Sequence, residues 1–236
     1  MLVASIFVNP TQFGPNEDLA RYPRQLERDT ELLQELGVHH IFAPNAESMY
    51  GANHLTYVDA KGFEKIPEGR ARPGHFSGVA TIVTKLFNIV RPTNAYFGQK
   101  DAAQCVLIRR IVQDLDMEVN VVVHDTIRED DGLAMSSRNA YLTMEERKAA
   151  PVLYRALLAA RETFLSGGDV IPAADLRNVV ETELRSEPLV KEIQYVSVDN
   201  KETMQPIQKV IRENGAIVSL ACKVGSVRLI DNIVLE

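Results

Sequence analysis

Tryptophan is absent from these 236 residues, and cysteine occurs only twice, at Cys105 and Cys222. The two thiols lie far apart in apolar surroundings and form neither a zinc spacing nor a disulfide framework, so buried thiols in a reducing compartment are expected. Long apolar runs are missing too. Residues 1–8 fall well short of the roughly 20 that a spanning helix needs, and neither a basic leader nor a small-residue cleavage site accompanies them. A cytoplasmic location with no membrane partner is the expectation. Positive charge is not in excess: 26 Lys and Arg face 32 Asp and Glu, a net charge of −6, which disfavours nonspecific binding to nucleic acid while allowing a local basic pocket. The sequence also lacks a glycine-rich phosphate loop followed by Lys and Ser/Thr, a strand-to-helix dinucleotide fingerprint and a nucleophile elbow. These absences argue against a P-loop hydrolase, a nicotinamide dehydrogenase and a Ser-His-acid hydrolase. No internal repeat or low-complexity tract is present.

What remains is an ordinary globular composition, 45% apolar and 25% charged. A chain of this length buries roughly 70% of its extended surface and needs neither disulfide nor metal to hold a core. Residues 1–8 read as a fully buried strand ending at Asn9-Pro10, residues 26–36 as a helix stopping at Gly37, and residues 38–43 as the next strand. An apolar stripe from Phe76 to Val90 ends at Arg91-Pro92. A strand at 95–97, a helix at 102–115 and a strand at 118–124 follow, so the first half alternates as α/β. Beyond a polar turn at 128–132, helices are expected at 144–164 and 173–184, parted by Ser166-Gly167-Gly168. Strands are expected at 193–198, 216–222 and 227–233, the last two forming a hairpin. The expected division is 1–126, an α/β part, and 127–236, a smaller α+β domain.

Three stretches bring cations next to small or turn residues: Arg72-Pro73-Gly74-His75-Phe76, Phe97-Gly98-Gln99-Lys100-Asp101 and Met135-Ser136-Ser137-Arg138-Asn139. Glycines and hydroxyls let donors approach anionic oxygens, and Lys and Arg neutralise charge as it moves, so the combination reads as a site for a phosphate-bearing ligand. Each stretch also has a plainer reading. Arg72 and His75 could belong to a Pro/Gly turn before a helix, Lys100 could be solvated with Asp101 as an N-cap, and the serine pair could be a surface loop. Asn9-Pro10-Thr11-Gln12-Phe13 is either a capped turn or a place where the Gln12 amide reads a polar small substrate. Gln104 lies one turn beyond Lys100, close enough to help hold a second reactant. Asp18, Arg21, Tyr22 and Arg24 look like a surface network and are not nominated.

Taken with Ser5-Ile6-Phe7-Val8-Asn9-Pro10 and Arg228-Leu229-Ile230-Asp231-Asn232, these words resemble the pantothenate synthetase (pantoate-β-alanine ligase) family over essentially the whole chain. The resemblance implies a Rossmann-like nucleotidyltransferase domain, a smaller C-terminal domain closing over ATP, and a homodimer. It implies ATP, pantoate and β-alanine as substrates and Mg²⁺ as cofactor, with no metal ligands assigned. By matching motifs, Gln12 and Gln104 would bind pantoate, with Asn9, Arg72 and His75 in the substrate-binding wall. Gly98, Lys100 and Asp101 would contact ATP, and Met135, Ser136, Ser137 and Arg138 would form a mobile phosphate-holding segment. Lys100, Ser136, Ser137 and Arg138 would carry the catalytic load.

The same family pattern includes an earlier strand, a Pro-Thr-Met-Gly turn and a His-x-x-His segment, none of which occurs here. The sequence therefore reads as N-terminally truncated, with little ligase activity expected in the absence of those phosphate contacts. Gln99 stands where Glu is expected, and Ala102-Ala103 where an aromatic-Gln pair is expected. A catalytically impaired family member and an adenylyltransferase for another small carboxylate stand as the alternatives.

Overall fold

The computed structural model describes residues 1–15 and 17–236. Its first half runs β1 (Val3–Ser5), α1 (Leu26–Glu35), β2 (His40–Phe42), α2 (Ala46–Met49), α3 (Pro67–Ala71), α4 (His75–Val90), β3 (Asn94–Gly98), α5 (Ala102–Asp114) and β4 (Asn120–His124). Strand β1 pairs with β2 and β3 with β4, both in parallel, as crossover helices require. The second half runs α6 (Met144–Ala149), α7 (Val152–Ser166), β5 (Val170–Pro172), α8 (Ala173–Ser186), β6 (Val190–Asp199), β7 (Lys209–Ile211), β8 (Ala216–Val224) and β9 (Val227–Leu235). Here the pairing is antiparallel, in the order β6-β8-β9, with β5-β7 as a separate short ladder. No helix among the described residues is long and apolar enough to cross a membrane.

Two cores follow from the apolar patterning. In the first, α4 buries Phe76, Val79, Ile82, Val83 and Phe87 against Ala103, Val106, Leu107 and Ile108 of α5. Arg91, in the left-handed region at φ 50°, ends α4 just before Pro92. In the second, α7 and α8 lay Leu153, Leu157, Leu176 and Leu184 over β8, whose residues are buried on both faces except Lys223. Met204 and Ile217 join the first core from the second half of the chain, so the two packing units share side chains.

The structure departs from the sequence expectations at residues 1–8, at Pro151 and in four short elements that were not expected, α2, α3, β5 and β7. Residues 1–8 do not form a fully buried strand: β1 has three residues, none of them buried, with Met1 93% and Leu2 44% exposed. Apolar patterning records what a strand can bury, whereas burial needs a covering layer, and α1 contributes no buried residue. The single helix expected at 144–164 is two helices. Pro151 lacks an N–H and its ring crowds the carbonyl four residues earlier, so α6 ends and α7 starts anew. The three-residue strands β5 and β7 carry too few residues to show a period, and they were not expected. The β8-β9 hairpin appears where the sequence placed it, closed by Gly225 at φ 57° and Ser226.

Glycine is required at one point in α4. A Cβ on Gly78 would sit 2.5 Å from the Thr11 carbonyl oxygen, so its absence lets the turn at residues 9–12 rest on the helix. We expect Gly78→Ala to cost about 1–3 kcal/mol in urea denaturation through this overpacking. An unchanged midpoint would show that the turn can move aside freely.

Candidate active site

Asn9 follows β1 and is 2% exposed. Its Oδ1 accepts from the Thr11 hydroxyl at 3.0 Å and the Tyr50 hydroxyl at 2.8 Å, and its Nδ2 donates to the Gly78 carbonyl at 3.1 Å and Gln12 Oε1 at 3.2 Å. The amide is fully occupied in building the turn, and that turn presents Gln12. Gln12 lines a cavity of about 180 Å³ together with Tyr22, Arg72, His75, Asp101, Gln104 and Arg138. The cavity opens beyond the ends of β1 and β3, the side on which open α/β sheets place ligands. Residues expected from four separate stretches therefore meet around one space.

His75 opens α4 and its tautomer follows from its neighbours. Arg72 Nη1 can only donate, so its 2.9 Å contact makes His75 Nε2 the acceptor; Nδ1 then carries the proton and donates to the Gln12 carbonyl at 2.9 Å. Burial, reinforced by the Arg72 charge, lowers the His75 pKa from 6.5 to about 4. The ring is neutral at pH 7, and both nitrogens are in use. It orients Gln12 rather than carrying protons.

Each arginine is paired with a carboxylate. Arg72 grips Glu17 through Nη2 at 2.6 Å and Nε at 3.0 Å, and Arg138 grips Asp18 through Nη2 at 2.7 Å and Nε at 2.9 Å. Burial works to raise the pKa of both carboxyls, but the facing guanidinium outweighs it and holds each below its ordinary value. The Ser137 hydroxyl donates to the Tyr22 hydroxyl at 2.9 Å, and the Arg138 guanidinium lies 5.4 Å from the Tyr22 ring centre. Ser136 Oγ accepts from the Arg138 backbone N–H at 3.3 Å, and Met135 is half exposed. Glu17, Asp18 and Tyr22 thus belong to the site, although in sequence Asp18 and Tyr22 looked like any charged loop.

Lys100 follows β3 in a tight turn at residues 99–101 and shares a small cavity with Ser136 and Arg138. Among the described residues no carboxylate pairs with it within 4 Å. A Cβ on Gly98 would meet nothing within 4 Å, so space is left open at the strand end. Asp101 stands at the N-cap position of α5, as its plainer reading has it, but makes no side-chain capping bond there.

The family model described as Pantoate-beta-alanine ligase matches residues 1–234 of this chain. The chain belongs to the pantoate-beta-alanine ligase family. It is 52% identical over 233 residues to the pantothenate synthetase of Herpetosiphon aurantiacus, covering 99% of this chain and 83% of that protein. The Thermus thermophilus pantothenate synthetase structure superposes with a TM-score of 0.90 at 49% identity, over 98% of this chain and 82% of that one. A Francisella tularensis pantoate-beta-alanine ligase, solved in complex with beta-gamma ATP and beta-alanine, gives a TM-score of 0.75 at 35% identity over 98% and 78% of the two chains. The α/β nucleotidyltransferase fold and the ATP-dependent ligase class of the family apply to this chain.

The neutral His75 predicts a pH signature. Its folded pKa of about 4 lies below the unfolded value near 6.5, so the unfolded chain binds more protons between them, and stability falls as pH drops through that window. The full effect is about 3 kcal/mol. Asp199 acts oppositely: burial raises its pKa to about 6 despite hydrogen bonds from Ser197 and Ser219, so its contribution grows as pH falls from 6 towards 4. The comparison to make is therefore between wild type and His75→Gln, which share Asp199. Urea unfolding from pH 7 to 4.5 should show the wild-type advantage shrinking; a constant gap would mean that His75 titrates normally.

Proposed function

We propose that this chain joins pantoate to β-alanine through a pantoyl adenylate, and that the convergence of Lys100, Ser136 and Arg138 beside the Gln12 and Gln104 cavity carries that reading. A pantoate carboxylate oxygen attacks the α-phosphorus of ATP and pyrophosphate leaves. The β-alanine nitrogen then attacks the acyl carbon, AMP leaves, and the proton from nitrogen passes to solvent. Lys100, with no carboxylate partner, is placed to offset charge on the reacting phosphoryl oxygens, while Ser136, Ser137 and Arg138 hold the outer phosphates and Gly98 and Asp101 receive the nucleoside. Gln12 and Gln104 orient pantoate, with Arg72 and His75 stiffening the wall behind it. The second step relies on positioning, because the adenylate is already activated.

The donor set suits Mg²⁺ delivered with the nucleotide. No group of three His, Cys, Asp or Glu able to cage an ion occurs among the described residues, and Mg²⁺ commonly binds through substrate phosphates with few protein ligands. When bound, it supplies neutralisation of phosphate charge. A cytoplasmic homodimer, with a division near residue 126 between a nucleotide-binding part and a closing part, completes the proposal on the strength of the family resemblance.

Pyrophosphate release, followed with ATP, Mg²⁺, pantoate and β-alanine, tests the chemistry; release of inorganic phosphate instead would exclude an adenylate. Lys100→Ala should slow adenylate formation by roughly 10²–10³-fold, as loss of a transition-state charge contact does. Gln12→Ala should act mainly on the KM for pantoate.

The Asp18 pair makes a separate forecast. Because Asp18 occupies the two Arg138 donors that a phosphate would use, Asp18→Asn should lower the KM for ATP several-fold. A higher KM would show instead that Asp18 holds Arg138 in the geometry the nucleotide needs.

A further inference from the structure

Asp231 and Asn232 of β9 belong to a sequence word with no role assigned so far, and the Asn232 side chain reaches across the molecule to the turn carrying Lys100. Asn232 is 4% exposed. Its Nδ2 donates to the backbone carbonyls of Gln99 at 2.9 Å and Lys100 at 2.8 Å, while its Oδ1 accepts from Gln99 Nε2 at 3.1 Å. Both amide protons and the amide oxygen are thereby engaged by a three-residue turn 132 and 133 residues earlier in the chain. On its own strand, Asn232 lies opposite Ser219 of β8, and its backbone N–H donates to Asp231 Oδ1 at 2.8 Å. The other face of this step is equally fixed, since Asp231 takes Arg128 through two bonds at 2.7 and 3.0 Å.

We propose that Asn232 is a positioning residue that sets the direction of the Lys100 side chain by clasping the carbonyls of residues 99 and 100. The proposal rests on the role given to Lys100 above. A lysine side chain has four rotatable carbons and no partner here, so its aim depends on where its backbone is anchored. The turn lies at the open end of β3, outside the strand ladder, and a Cβ at neighbouring Gly98 would touch nothing. The β9 clasp supplies the anchor that local packing omits. It also places the turn in the same frame as Arg128, which pairs with Ala134 in the hairpin leading to Met135.

The experiment measures pyrophosphate release and the KM for ATP in Asn232→Asp, Lys100→Ala and the double variant, with thermal unfolding of each. Asn232→Asp keeps the shape and loses both donors. The expected result is a fall in kcat of about tenfold or more with little change in the KM for ATP, because misplacement by about 1 Å is enough to slow chemistry on this scale. In the Lys100→Ala background the same substitution should cost almost nothing further, since two residues acting through one contact are not additive. Should Asn232→Asp fail to fold, Gln99→Ala removes the side-chain bond to Oδ1 and leaves the two carbonyl bonds, and a several-fold loss of kcat is expected. A full kcat in the folded variant overturns the proposal, as does an undiminished loss in the Lys100→Ala background. Normal release by Lys100→Ala alone would bring down the role of Lys100, and the clasp with it, by a result distinct from either.

Discussion

Asp231 is only 3% exposed, and its charge is met by Arg128. Removing two charges from water is costly, and the attraction between them offsets that cost only when geometry is good and the remaining hydrogen bonds are made. Both conditions hold: the pair is bidentate, Arg128 also donates to the Gly132 carbonyl at 3.0 Å, and its guanidinium stacks 3.9 Å from the Tyr154 ring centre. The consequence is positional. The hairpin before Met135, the start of α7 and the middle of β9 cannot shift independently without stranding a buried charge. The segment holding Ser136 and Arg138 starts from a fixed point for that reason.

The same logic is repeated, with the carboxylates less deeply buried, at Arg72 and Arg138. Their partners Glu17 and Asp18 are adjacent in one loop, so a single short stretch satisfies two cations that line the Gln12 cavity. Lys100 is the contrast. It lines the neighbouring small cavity with Ser136 and Arg138, and among the described residues no carboxylate lies within ion-pair distance of its compact, strongly hydrated ammonium.

The legible parts of the site were those whose residue types are unusual in their local setting. A lysine directly after a strand-end glycine, and a Met-Ser-Ser-Arg run beyond a polar turn, stand out from a solvated surface. Asp18 and Tyr22 do not: a single acidic residue in a loop has the same local sequence whether it faces water or a guanidinium 120 residues away. Burial failed in the same manner for residues 1–8, where the apolar run was correctly read and the covering layer was not. At Pro151 the local signal was plain, but the apolar spacing of Ala149, Ala150, Val152 and Leu153 continues across it and suggested one helix. The Arg228 to Asn232 word helped to identify the family, yet nothing in its spelling says that the asparagine reaches residues 99 and 100. Such information resides in tertiary distance.

That reach has a consequence for synthesis. Chains emerge at roughly 5–20 residues per second, and early segments fold as they appear. The 99–101 turn leaves the ribosome long before β9 exists, and through that interval its carbonyls have no amide to bind. A partly made chain therefore lacks the hold that β9 gives this turn.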